Sequence, residues 1–196
     1  AKLIHISSTS VYGKQTAYVD EQSKFLNPQS PYAEIKLKEE NILFKCKKEI
    51  KYISLRFGTI AGPSSGMRFH TAVNKFCWQA VMKQPITVWS TAYEQKRPYL
   101  DLFDASRVIS LIIRYDIFDG EIYNVLTTNA TVRQVVDTIS EFVPDLEVQF
   151  VDNKIMNQLS SEVLSGKVSS KGVVPAGSLR RGIGETISLL SHANIQ

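Results

Sequence analysis

"LIHISSTSVYGK", Leu3 to Lys14, carries an apolar, strand-forming run straight into a cluster of small hydroxyls. Leu3 to Ile6 reads as a short buried strand. Ser7, Ser8, Thr9 and Ser10 then leave its carboxyl end, where open α/β sheets bind their ligands. The next segment, "SPYAEIKLKEENILFKCKK" (residues 30–48), reads as a helix. Ser30 is placed to cap it, Pro31 suits its first turn, and Ile35, Ile42, Leu43, Cys46 and Ile50 fall on one stripe at helical spacing. "YISLRFGTI" (residues 52–60) is predicted as a second buried strand, closed by the loop "AGPSSG". Strand, helix and strand in this order make a right-handed parallel crossover, so the fold class is α/β.

Past Gly66 the pattern changes. "TAVNKFCWQAVM" is a helix and "PITVW" a short strand. "RPYLDLFDASRVISLIIRY" starts as a strand and continues as a helix with Asp104 as its expected N-cap. "EIYNVL" is one more strand, and "TVRQVVDTISEF" one more helix with Thr131 near its cap. "LEVQFVD" and the polar, Gly-rich residues 153–177 are less regular, and a helix from about Ser178 to Leu190 follows. Gly182 and Gly184 sit inside that helical pattern; without a preceding strand they form no phosphate loop.

Composition excludes several function classes. With 196 residues and 43% hydrophobic content, the chain can bury one core, or one domain with a small lobe. No apolar run approaches the roughly 20 residues of a membrane helix, and no signal-peptide pattern opens the sequence. Cys46 and Cys77 stand apart without a CxxC or metal-ligand spacing, so both are expected as reduced thiols in a cytoplasmic protein, with no metal. The net charge of +4 comes largely from lysines that alternate with Glu39, Glu40 and Glu49, as on a solvated helix face. No arginine cluster with interleaved aromatics accompanies them, which argues against nucleic acid; an anionic small molecule suits the mild positive balance.

Tyr32 and Lys36, four apart, share one face of the predicted helix about one turn apart. By spacing alone they could be an exposed pair. Their position, opening the helix after the hydroxyl cluster, favours chemistry. A free phenol has a pKa near 10, and a nearby ammonium lowers it by favouring the phenolate. Tyr32 is then a base for a substrate hydroxyl while hydride leaves the same carbon for a nicotinamide, and a serine hydroxyl bonds the reacting oxygen. His5, His70 and His192 show no ligand or triad spacing, and no GxSxG nucleophile elbow occurs.

"ISSTSVYG", "SPYAEIK", "LRFGTIAGP" and "KRPYLDLFDAS" together resemble the extended short-chain dehydrogenase/reductase family, the NAD-dependent nucleotide-sugar epimerases and dehydratases. The segments follow the family's order over residues 2 to about 126, and "SLRRGIGETISLL" resembles its last helix. The resemblance implies Ser8 as the catalytic hydroxyl, Tyr32 as base, and Lys36 as the residue that lowers its pKa and bonds the nicotinamide ribose. It places Gly58 near the nicotinamide, Thr9 and Thr59 against the substrate, and Arg97 as a clamp on the sugar-nucleotide pyrophosphate. Thr59 stands where many members have asparagine. Thr9 and Ser10 stand where dehydratases carry an acidic pair, which favours epimerase or reductase-like chemistry over loss of water.

The implied cofactor is NAD and the implied substrate a UDP- or dTDP-sugar. No GxxGxxG occurs, so the chain is expected to be the C-terminal portion of such an enzyme, without its Gly-rich dinucleotide-binding half and inactive alone. Residues 1–63 are expected to form the C-terminal half of the Rossmann-like NAD-binding layer. Residues 64–196 are expected to be mainly a small mixed α/β substrate lobe, with 97–126 returning to the sheet layer. The family's helix equivalent to the one from Pro31 packs against a partner subunit, and Leu37 and Phe44 add apolar surface there, so a homodimer is expected. The competing reading is a non-catalytic nucleotide-sugar-binding or interaction module.

Overall fold

In the computed structural model, which describes residues 1–15, 17–152 and 161–193, strand β1 (Lys2–Ser8) carries the hydroxyl cluster. A 3-10 turn (Thr9–Tyr12) and a two-residue strand β2 (Tyr18–Val19) follow. Helix α1 (Pro31–Lys45) starts as its sequence requires: Ser30 Oγ accepts from the Ala33 N–H at 3.2 Å and Pro31 fills the first turn. Strand β3 (Lys51–Phe57) then pairs with β1 in parallel, Ser8 opposite Phe57, which is the expected crossover. The remaining elements are β4 (Thr59–Ala61), α2 (Ala72–Val81), β5 (Ile86–Trp89), β6 (Lys96–Asp101), α3 (Leu102–Arg114) and β7 (Ile122–Val125). They are followed by β8 (Thr128–Thr131), α4 (Val132–Ser140), β9 (Val148–Val151), β10 (Glu162–Val163), α5 (Gly166–Ser169) and α6 (Leu179–Ala193).

Among the described residues the sheet order is β1-β3-β7, all parallel, and a separate sheet runs β4-β6-β8. Of the stretch 97–126, β7 is bonded to β3, whereas β6 pairs with β4 and β8. Two small parallel pairs, β5-β9 and β10-β2, complete the strands. One core joins Ile53, Leu55 and Phe57 of β3 to Val108 and Ile112 of α3 and to Val125 of β7. A second gathers Phe76, Cys77, Val135, Ile139, Ile183 and Ile187 from α2, α4 and α6. Each such side chain, fully buried, contributes about 1.5–3 kcal/mol relative to exposure. No helix among the described residues is long and apolar enough to cross a membrane.

Three expectations are corrected. Among the described residues strand β1 pairs with β3 alone, at the sheet edge, and Leu3 and Ile6 are exposed rather than buried. The apolar stripe on α1 does not face the sheet: Ile35 is 53% and Ile42 60% exposed, and the buried helix residues are Ala33 and Glu40. The reason is polar: the sheet turns Ser7 and Arg56 towards this helix, and both bond the Glu40 carboxylate. The cap of α3 is Asp101, whose carboxylate accepts from the Phe103 N–H at 3.0 Å. Asp104 is instead fully buried and accepts from the Ala176 and Gly177 N–H groups, each at 2.7 Å. Thr131 caps α4 as expected, in a reciprocal pair with Gln134. Residues 153–160 of the expected irregular stretch lie outside the described residues.

Candidate active site

Alternation along β1 divides its two last serines between opposite faces. Ser7 is buried and donates to Glu40, while Ser8 is half-buried and opens on a cavity of about 580 Å³. Ser8 has extended backbone, and its Oγ accepts from the Ser10 N–H at 3.1 Å, capping the 3-10 turn. Thr9 is pinned from the other side, its hydroxyl donating to the Phe57 carbonyl at 3.2 Å. Gly13 ends the turn at φ 65°, and a Cβ there would lie 1.9 Å from the Asn27 carbonyl oxygen. The hydroxyl cluster is therefore a fixed turn.

Under it lies a buried ionic network. The parallel register puts Ser7, Arg56 and Asn124 side by side on neighbouring strands. Glu40 takes a bidentate pair from Arg56, Nε to Oε1 at 2.9 Å and Nη2 to Oε2 at 2.7 Å. Arg56 Nη1 also donates to the Tyr12 hydroxyl, which in turn donates to Asn124 Oδ1, both at 2.9 Å. Burial would lower the Arg56 pKa, but its bonds to Glu40 and the nearby Tyr12 outweigh this and raise it, so the guanidinium stays charged.

Tyr32, Gly58 and Thr59 join Ser8 in lining the main cavity, so three separate segments converge there. Tyr32 is 56% exposed. The Lys36 ammonium lies 5.9 Å from the Tyr32 ring centroid but is not among the cavity's lining groups. It donates to Glu39 Oε2 at 2.9 Å, and the same oxygen lies 2.9 Å from His5 Nε2. These two contacts, His5 first and then Lys36, hold the Glu39 carboxyl below the usual carboxylate range. His5 Nδ1 lies 2.9 Å from Ser54 Oγ, so the chain of contacts runs back into β3.

Gly58 has a packing reason for its identity: a Cβ would lie 2.9 Å from the Pro98 carbonyl oxygen, where β6 crosses. Arg97, on β6 opposite Ala130, stands apart from the main cavity and lines a smaller one beside it together with Ser8, Thr9 and Thr59. The sequence reading missed Arg68, His70 and Asn74, which line the main cavity from the loop before α2 and from its first turn. Two basic side chains in a loop between a strand end and a helix were the available signal.

The fold and site define a Rossmann-like α/β protein with Ser8 and Gly58 at the carboxyl ends of the parallel strands β1 and β3, and Tyr32 and Lys36 in the first turns of α1. The NAD dependent epimerase/dehydratase family matches residues 1–125, and the chain belongs to that family. Among solved structures it is similar to UDP-glucuronic acid 4-epimerase from Bacillus cereus in complex with NAD, at 23% identity and a TM-score of 0.83, covering 97% of this chain and 60% of that one. It is similar to the UDP-glucose 4-epimerase of Thermus thermophilus in complex with NAD, at 25% identity and a TM-score of 0.82, covering 98% and 64%. It is also similar to dTDP-glucose 4,6-dehydratase from Bacillus anthracis in complex with NAD, at 19% identity and a TM-score of 0.83, covering 98% and 62%. The chain thus spans about 60% of the length of the first of these structures.

Proposed function

We propose that this protein carries the catalytic and sugar-binding part of an NAD-dependent nucleotide-sugar epimerase, working through a transient keto sugar. The observation that carries the reading is the convergence of Ser8, Tyr32, Gly58 and Thr59 on one cavity of about 580 Å³. The donor set fits the nicotinamide-ribose end of NAD. Lys36 has three N–H donors and gives one to Glu39, leaving two for ribose hydroxyls; its ammonium lies 5.9 Å from the ring centroid of Tyr32, which lines the cavity with Gly58. Bound there, NAD supplies the acceptor for a hydride. Tyr32 Oη takes the proton of the sugar hydroxyl as hydride leaves the same carbon, and Ser8 Oγ bonds the reacting oxygen. Return of hydride to the other face of the turned-over ring gives the epimer.

Epimerisation is preferred to dehydration because, among the described residues, no carboxylate lines the cavity to protonate a departing hydroxyl. The substrate is a UDP- or dTDP-sugar, touched by Ser8, Thr9 and Thr59 and held at its pyrophosphate by Arg97. Residues 1–63, joined by α3 and β7 of 97–126, serve the NAD-binding layer, and the rest of 64–196 the sugar lobe. Exposed Ile35, Ile42 and Phe44 on α1 support a homodimer through that helix. The two free thiols, Cys46 and Cys77, suit the reducing cytoplasm.

Because the sequence holds no GxxGxxG turn for the cofactor pyrophosphate, the chain alone should convert UDP- and dTDP-sugars slowly or not at all with added NAD. Robust turnover would overturn that expectation. Native mass spectrometry with NAD and a UDP-sugar tests the site itself: retained sugar nucleotide is expected, and retention of neither ligand would refute the proposal. Tyr32→Phe should leave stability within about 0.5 kcal/mol, since the ring is exposed. Any turnover detected should fall on the order of a hundredfold or more in that variant.

A further inference from the structure

Two glutamates stand side by side on α1, and β1 meets them with alternate residues. His5 and Ser7 share one face of that strand, opposite Ser54 and Arg56 in the parallel register. Ser7 and Arg56 bond Glu40 in the interior. His5 and Ser54 make the corresponding approach to Glu39. The fully buried Ser54 has its Oγ 2.9 Å from His5 Nδ1, and His5 Nε2 lies 2.9 Å from Glu39 Oε2. That same oxygen accepts from the Lys36 ammonium at 2.9 Å. His5 and Lys36 together hold the Glu39 carboxyl below the usual range, so it is charged at neutral pH. A carboxylate only accepts, so Nε2 carries the proton, and Nδ1 of the neutral ring takes one from the Ser54 hydroxyl. A lone ion pair on a helix surface is readily exchanged for water. Here the carboxylate is anchored from a second element, 34 positions away, by an imidazole only 13% exposed.

We propose that Glu39, anchored through His5 to Ser54, is the positioning residue for Lys36: it fixes where the ammonium stands, and so where its remaining protons meet a ribose. The inference rests on the reading of Lys36 as the residue that bonds the nicotinamide ribose, and deepens it. The titratable groups acting on Glu39 are His5 from β1 and Lys36 from α1, and β3 adds the neutral Ser54 hydroxyl. One oxygen thus serves two nitrogens. While His5 is neutral, the carboxylate charge is left to Lys36. Once His5 is protonated, a second cation sits 2.9 Å from that oxygen. It offsets the carboxylate charge and repels the ammonium, so the hold on Lys36 weakens. Histidine changes charge between about pH 5 and about pH 8, so the grip on a ribose falls as pH falls through the His5 titration.

NMR of the 196-residue chain, isotopically labelled at the lysine Cε carbons, tests this, with Lys36→Arg identifying the Lys36 signal. Between about pH 8.5 and about pH 5.5 that signal should move with the same midpoint as the His5 ring signal. Glu39→Gln should displace it and abolish the movement. His5→Gln keeps an N–H for Glu39 but cannot charge, so it should leave the Lys36 signal near its parent place and abolish the movement too. Thermal melting verifies that each variant folds. A Lys36 signal blind to both substitutions would overturn the positioning role. NAD at millimolar concentration supplies the second readout, followed in the same spectra. Glu39→Gln should weaken it about two- to fivefold at about pH 8, and the parent affinity should fall by a similar factor towards about pH 5.5. NAD binding that neither Glu39→Gln nor pH alters would sink the inference and leave the nicotinamide reading standing. Absence of NAD binding, or binding that leaves the Lys36 signal unmoved, would overturn the nicotinamide reading and this inference with it.

Discussion

Glu40→Ala removes a carboxylate that takes two N–H bonds from Arg56 and one O–H bond from Ser7. Both partners of the ion pair are interior, with side chains 3% (Arg56) and 2% (Glu40) exposed, so water cannot replace what is lost. Arg56 would keep the Tyr12 hydroxyl as its described partner, which is neutral. Removing one member of a buried pair costs about 3–5 kcal/mol, a large part of the roughly 5–15 kcal/mol by which domains are stable. Glu40→Gln keeps an acceptor but loses the charge, and should cost about 1.5–3 kcal/mol. Glu40→Leu combined with Arg56→Met removes both charges at similar volume and should recover most of the loss. Urea unfolding measures all three, through the midpoint at an unchanged slope. A Glu40→Ala protein within about 1 kcal/mol of the parent, or a double variant no better than Glu40→Ala, would refute the reasoning.

Three further outcomes follow from packing and charge. Gly177→Ala would bring a Cβ to 2.6 Å from Asp101 Oδ2 and 2.7 Å from Asp104 Oδ2, so the clamp on residues 176–178 must open. The cost should be about 1–3 kcal/mol, with faster amide exchange in α6; unchanged exchange would show that the clamp does not hold that helix. Glu39 and Glu121 are both held below the ordinary value of 4.5, Glu39 by His5 and Lys36, Glu121 by Lys47 and Lys167. Their contribution is present above pH 4.5 and lost as pH falls through the lowered folded values, so Glu39→Gln should flatten the acid limb of a stability-pH curve. Burial pushes the Cys77 thiol up to about 12, so in the native protein at pH 8 a disulfide reagent should titrate Cys46 alone, and both cysteines only after unfolding.

The crossover from β1 through α1 to β3 was legible because each piece carries its own signal: the Ser30-Pro31 start, the apolar run of β3, and the order of the three. Ser8, Tyr32 and Thr59 come together in space, because the end of β1, the first turn of α1 and the start of β4 line one cavity. The face of α1 was not. Periodicity assigns the apolar side of a helix to the interior, but here the interior holds Arg56, and the buried helix residue is the carboxylate that pairs with it from 16 positions away. A periodic pattern carries no information about such a partner. Asp101 and Asp104 were exchanged for a related reason: both can cap, and only the return of residues 176–178 to this corner decides which one does. The short strands β4, β8 and β10 are two to four residues long, too brief to show alternation.

The clamp made by Asp101 and Asp104 also bears on the order of assembly during synthesis. Ile183, Ile187 and Leu190 of α6 complete the core built by α2 and α4, and the segment leading into α6 is moored to carboxylates some 70 to 80 residues earlier. Until α6 has emerged from the ribosome, Val135, Val136 and Ile139 have no lid. The β1-β3-β7 layer can form as soon as Val125 has been made, while the second core waits for Leu190. A nascent chain of this protein therefore exposes a sticky, half-built lobe for seconds at ordinary elongation rates, and holdase chaperones should be found on it during that interval.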